Sequence, residues 1–152
     1  MGYETRLYVG KSTSLTHDVY KRSDKPEIDG EDVYYPYEKD NEGNLITTGK
    51  KSTWFEVMAM IDLCKTGHGS EISKIDFKNT DESHYWYFYS GNKEIIDDNY
   101  GDKSKPIPIS VVLEALKKDY QESEYRRFKW AIALLESMAE DKEELSVLFY
   151  GH

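Results

Sequence analysis

Histidine is the side chain whose ordinary pKa lies closest to neutrality, and this sequence holds four: His17, His68, His84 and His152. His68 sits in Gly67-His68-Gly69-Ser70, where the glycines would let the backbone approach a ligand. If a helix ends just before it, the helix dipole would raise the imidazole's pKa, which makes His68 the catalytic candidate, as a general acid/base. A glycine-terminated helix running into an exposed loop accounts for the same residues more simply. No nucleophile or second acid stands at a diagnostic spacing from it. His17 and Asp18 are neighbours on an extended segment and point to opposite faces, so they are no orienting pair. Cys64 and His68 have the spacing of two metal ligands on a helix, but Gly67 interrupts it and structural zinc wants a set of four ligands. In the acidic run Asp97-Asp98-Asn99-Tyr100-Gly101-Asp102, counting from Asp97 puts Gly101 at position 5 and Pro108 at position 12. A calcium loop needs glycine at the sixth position and glutamate at the twelfth. Phosphate-loop, dinucleotide, serine-hydrolase and zinc-protease motifs are absent as well. No cofactor and no metal are expected.

Aromatic residues offer a different chemistry. In His84-Tyr85-Trp86-Tyr87-Phe88-Tyr89, period-2 alternation puts Tyr85, Tyr87 and Tyr89 on one face and Trp86 and Phe88 on the other. Either the tyrosines line a solvent-facing sheet, or they form a platform for a planar ligand or a partner. Seven of the 13 tyrosines fall within residues 34–37 and 84–100, and they would form one surface if those segments shared a sheet. Near the C-terminus a helical segment has its apolar face completed by other residues. Trp130 and Leu134, with Arg126 one turn earlier, lie on the opposite side. Tryptophan and arginine favour interface hot spots, so Arg126, Trp130 and Leu134 join Tyr85, Tyr87 and Tyr89 as binding candidates.

The elements that must position these residues follow from periodicity. Tyr3, Thr5, Leu7 and Val9 alternate with polar neighbours as a half-buried strand does, and Leu15, His17 and Val19 repeat the pattern. The stretches 33–37 and 45–48 read as a hairpin around Asp40-Asn41-Glu42-Gly43-Asn44, with Pro36 placing its strand at an edge or bulge. Thr53 and Glu56 form a capping box, Gly67 suits a helix stop, and Trp54, Val57, Met58, Ile61 and Cys64 share one helical face; the spacing predicts a helix from 53. Strands are expected at 75–77, 84–89 and 94–96. Two further helices follow, one from about Ser110 and one over 122–140, burying Val112, Leu116, Phe128, Ala131 and Leu135 among others. Leu145, Val147 and Phe149 close the chain as a strand apolar on both faces, which suits the interior of a sheet. The expected class is α+β: a mainly antiparallel mixed sheet with about three α-helices packed on it, in a single domain over 1–152.

Composition sets the limits. The 152 residues carry 20 Lys and Arg against 29 Asp and Glu, a net charge of −9, and the pI is about 4.9. That balance opposes binding along a polynucleotide backbone. Acidic residues are interleaved with lysines, as in Glu140-Asp141-Lys142-Glu143-Glu144, so the charge is a solvated surface and not a row of phosphate mimics. A single cysteine cannot build a disulfide framework, and no apolar run reaches the ~20 residues of a membrane helix, so a cytoplasmic, soluble chain is expected. In its general character, short, acidic and rich in Tyr, Asp, Lys and Asn, the chain resembles accessory proteins of tailed bacteriophages. The resemblance carries no motif and transfers no residue. It implies a protein of the host cytoplasm that binds and inhibits or redirects a host protein. Two functional readings remain open. One is an interaction protein that engages a protein partner, or a second copy of itself, through the aromatic or helical surface. The other is a small enzyme or nucleotide binder using Gly67–Ser70 and the tyrosine face.

Overall fold

A computed structural model describes residues 5–22, 27–29, 32–34, 37–64, 70–91, 93–96, 103–141 and 143–151. The fold is α+β, built on a six-stranded mixed sheet and two helices. The strands are β1 (Thr5–Tyr20), β2 (Glu27–Asp29), β3 (Asp32–Tyr34), β4 (Thr47–Cys64), β5 (His84–Ser90), β6 (Lys93–Ile95), β7 (Ile107–Pro108) and β8 (Ser146–Gly151). The helices are α1 (Ile109–Ser123) and α2 (Arg126–Ala139). The sheet order is β6-β5-β4-β1-β8-β7, while β2 and β3 pair only with each other. Every pairing is antiparallel except β4 with β5. β8 lies between β1 and β7, in the interior position that its two apolar faces require.

The segment expected to be the first helix is instead the second half of β4, so the α-helices among the described residues number two, not three. Its odd-numbered residues explain why. Thr53, Phe55, Ile61 and Leu63 are buried, with Val57 and Ala59 partly so, and Trp54, Glu56, Met58, Met60 and Asp62 alternate between them. That is a period of two, and β-branched and aromatic side chains suit it. The spacing of Trp54, Val57, Met58 and Ile61 also fits a helix, but pairing with β1 on one side and with β5 over part of the other outweighs a local capping preference.

Both faces of β4 meet a core because of one irregularity. Val9 faces Ala59 and Gly10 faces Val57, so Met58 is an extra residue in the ladder, a β-bulge. Beyond it the odd residues change sides. Ala59, Ile61 and Leu63 join Leu7, Val9 and Val147 under the helices, against Val112, Leu116, Phe128, Ala131 and Leu135. Phe55 and Val57 join Tyr8, Phe88, Ile95 and Leu148 on the opposite face. The β5–β6 hairpin supplies the cover there. β5 runs beside β4 only from Lys51↔His84 to Trp54↔Tyr87. Past that point it leaves the edge and curls across the face, bringing the Phe88 ring to 4.4 Å from Tyr8.

Other expectations shift in detail. The 75–77 segment is not a strand; it follows a 3-10 turn at Ile72–Lys74, and a lone bridge joins Lys78 to Ser104. Around Asp40 the chain does reverse, with Lys39 bridging Leu45 and the Asp40 carboxylate accepting the Glu42 and Asn44 N–H groups, both at 2.9 Å. Yet β3 pairs with β2, and Tyr37 bridges Arg22, so residues 32–34 are not in the sheet of β5, which one tyrosine surface would require; Tyr35 and Tyr100 lie outside the described residues. α1 ends at Ser123 and Glu124 turns left-handed (φ 53°), breaking the chain before α2 begins at Arg126. Asp119 of α1, 2% exposed, accepts the N–H groups of Glu71 and Ile72 at 2.8 and 3.0 Å and anchors the 3-10 turn.

Two stability predictions follow. A Cβ on Gly10 would lie 1.8 Å from the Glu56 carbonyl oxygen, so Gly10→Ala must push the bulge apart. It should lower stability by about 2 kcal/mol or more in urea unfolding. Gly43→Ala meets open space and carries only the strain of a positive φ, ~1 kcal/mol; equal losses for the two would show that the bulge is not tightly fixed. Asp119→Ala strips the buried Ile72 N–H of its acceptor and should cost about 1–3 kcal/mol, with early hydrogen exchange at residues 71–75.

Candidate functional site

α2 packs its Phe128, Ala131 and Leu135 stripe into the core and leaves the other side outward. Trp130 is 60% exposed and Leu134 39%, and Met60 of β4 is 50% exposed. Met60, Ile61, Asp62, Arg127, Trp130, Ala131 and Leu134 line one open groove of about 210 Å³. Its floor is the outer edge of β4. Because β5 pairs only as far as Trp54, β4 has no second strand partner from Phe55 onward among the described residues. Two hydrogen bonds close the far end. Arg127 Nη1 donates to the Asp62 carbonyl at 2.8 Å and the Tyr125 hydroxyl to the Leu63 carbonyl at 3.2 Å.

Of the helical candidates, Trp130 and Leu134 meet in this groove. Arg126 is exposed at the start of α2 but does not line it; its neighbour Arg127 does. Met60, Asp62 and Arg127 were not singled out as site residues from the sequence. The signal that could have found them is the alternation of Met58, Met60 and Asp62 with buried odd residues, legible only once 53–64 is read as a strand.

The tyrosine strand forms as expected, with Trp86 and Phe88 turned to the second core. Its three tyrosines differ in exposure. Tyr89 is 56% exposed and Tyr87 half-buried, with their rings edge-to-face at 6.0 Å and His17 6.5 Å from Tyr87. Tyr85, expected on the open face, is buried. What covers it is cationic: Lys103 Nζ lies 3.7 Å from its ring centroid and Lys50 Nζ 5.5 Å. Burial alone would push the Tyr85 hydroxyl up, but hydrogen bonds to Lys50 and Lys103, with their charges, outweigh it and hold the group below the ordinary tyrosine range. Tyr87 shifts the other way, pushed up by burial and by the nearby Tyr89 and Glu94.

Of the four histidines, His17 and His84 are among the described residues and His68 and His152 are not. His84 Nε2 meets Thr53 Oγ1 at 2.7 Å, and Thr53 Oγ1 meets Thr16 Oγ1 at 3.1 Å. This chain of polar contacts pins β1, β4 and β5 together where the buried Thr53 needs a partner. His68, with Gly67 and Gly69, lies outside the described residues, as do Tyr100 and the rest of the 97–102 loop. Among the described residues no three His, Cys, Asp or Glu side chains gather as metal ligands, and no helix is long and apolar enough to cross a membrane.

The Tyr85 environment has a measurable consequence. A group whose pKa is depressed on folding adds stability above its unfolded value and loses that addition as pH falls through the folded one. Lys103→Gln should therefore raise the Tyr85 pKa in an ultraviolet titration. The stability gap between it and the parent chain should widen from neutral pH toward pH ~10; a gap that narrows would contradict the geometry. Compared with protein-family models, curated proteins and solved structures, the chain finds no match.

Proposed function

We infer that this chain is an interaction protein whose working surface is the groove between the β4 edge and α2, and that its partner enters as an extended protein segment. One observation carries the reading: among the described residues β4 has no second strand partner after Trp54, and this edge, up to Ile61, runs beside exposed Trp130, Leu134 and Met60. An open edge offers a row of N–H and C=O groups to another backbone, which supplies affinity, while apolar neighbours supply specificity for alternate side chains. Methionine adapts to varied partners and tryptophan anchors them. Arg126 and Lys129 lie exposed on α2 beside Trp130, so in a chain of net charge −9 this rim favours a partner segment with an acidic residue.

A cytoplasmic setting accords with the lone Cys64, since an internal disulfide would need a second cysteine. An accessory or inhibitor role, seizing a segment of a host protein and holding it in strand form, is the version of this function that a short acidic domain suits.

The test combines a double variant with hydrogen exchange. Trp130→Ala with Leu134→Ala removes exposed side chains and should change stability by no more than ~0.5 kcal/mol per site. It should abolish partner capture that the parent chain supports. In the parent complex the amides of residues 57–63 should slow markedly. Capture that survives the double variant, or that leaves those amides unprotected, would refute the groove as the site.

A further inference from the structure

Most described lysines of this acidic chain sit against a carboxylate. Lys11 meets Glu143 at 3.0 Å, Lys74 meets Glu71 at 3.0 Å and Lys117 meets Glu136 at 3.2 Å, and Lys51 pairs with Asp18. Lys50 and Lys103 break the pattern. Both are half-buried, neither has a carboxylate within ion-pair distance among the described residues, and both converge on the Tyr85 ring. Glu82 acts on Lys50 only at longer range. Partly desolvating two ammonium groups carries a cost, and the face of one phenol ring offsets only part of it. Among the described residues no carboxylate within ion-pair distance supplies the rest.

The scaffold fixes these cations in place. Lys103 is carried by a segment stitched to residues 77–79: Asn79 N–H donates to the Lys103 carbonyl at 2.7 Å and Lys105 N–H to the Phe77 carbonyl at 2.8 Å. Ser104, buried beside it, donates to the Phe149 carbonyl at 3.0 Å. Lys50 extends from β4, whose Ser52 faces Tyr85 across the parallel pair. A preformed cluster of two ammonium groups and one hydroxyl is the donor set of an oxyanion site. Two residues along β5 on the same face, roughly 7 Å away, stands Tyr87, then Tyr89. The one carboxylate bearing on that ledge, Glu94, is neutralised by Arg22 at 3.6 Å.

We propose that Lys50, Lys103 and Tyr85 hold the phosphate of a phosphate monoester, and that Tyr87 and Tyr89 provide the ledge for the planar group the phosphate carries. This site shares no residue with the β4–α2 groove, so the two readings stand or fall separately. Direct calorimetric titration of the full chain with inorganic phosphate and with AMP tests it. Both should bind, weakening as salt rises, with AMP about ten-fold or more tighter through ring stacking. Lys103→Gln should weaken both by at least about ten-fold, while Lys103→Arg should retain them. Tyr89→Ala should bring AMP down toward the affinity of phosphate. Circular dichroism of each variant separates lost binding from lost fold. The proposal is overturned if neither probe binds at millimolar concentration, or if Lys103→Gln, still folded, binds as the parent does. AMP binding no tighter than phosphate would equally overturn the monoester assignment.

Discussion

The close approach of Gly10 to the Glu56 carbonyl is the contact on which the rest of the molecule depends. It exists because Met58 is an extra residue in β4, and it turns a single amphipathic strand into one that serves two cores in succession. Without the bulge, Phe55 and Leu63 would have to point the same way. One of the two hydrophobic clusters would then lose its β4 contribution, since a one-residue slip moves a whole set of side chains to the other face. The length of the strand matters equally. Eighteen residues allow β4 to hold β1 along nearly its whole course while meeting β5 only at its start and α2 only near its end.

Much of this architecture was legible in the sequence. The strands at 5–9, 84–89 and 145–150, both late helices and the partition of Trp86 and Phe88 from the tyrosines all follow from local periodicity. The outward side of α2 was legible too, because Phe128, Ala131 and Leu135 already complete an apolar stripe and leave Trp130 and Leu134 behind. The failure at 53–64 has a physical origin. Trp54, Val57, Met58 and Ile61 satisfy a helical period, while Thr53, Phe55, Val57, Ala59, Ile61 and Leu63 satisfy a period of two. Nothing local decides between them; the partner strands decide, and they lie far away in sequence. The groove was hidden for the same reason, since half of it belongs to the misread segment. The burial of Tyr85 was hidden because Lys50 and Lys103 reach it from segments with no periodic relation to it.

Electrostatics in this chain are arranged locally, not as one broad field. An excess of carboxylates leaves most described lysines paired, and the cations without a carboxylate at ion-pair distance among the described residues include Lys50 and Lys103 over Tyr85, and Arg126 with Lys129 on α2. In the hollow beside the start of α1, Asp141, Glu143 and Glu144 gather near Ser110, where acidic side chains suit the positive end of the helix dipole. Helix α1 has no side-chain cap, and this neighbourhood offsets part of that omission.

The outermost strands of the sheet are β6 and β7, of three and two residues, and Pro106 and Pro108 flank Ile107 in the latter. Such short, proline-bearing margins give another chain almost no ladder to extend. Two longer stretches have no second strand partner among the described residues: β1 from Lys11 to Tyr20, beyond its pairing with β8, and β4 from Phe55, bounded at one end by the departing β5 hairpin and at the other by Arg127 and Tyr125. A slot closed at both ends accepts a segment of limited length, on the order of 20 Å for six or seven residues, and then is full. The open side of β1 has no such stop among the described residues. Strand-on-strand association in a concentrated solution would therefore start on that side of β1 and not in the bounded slot.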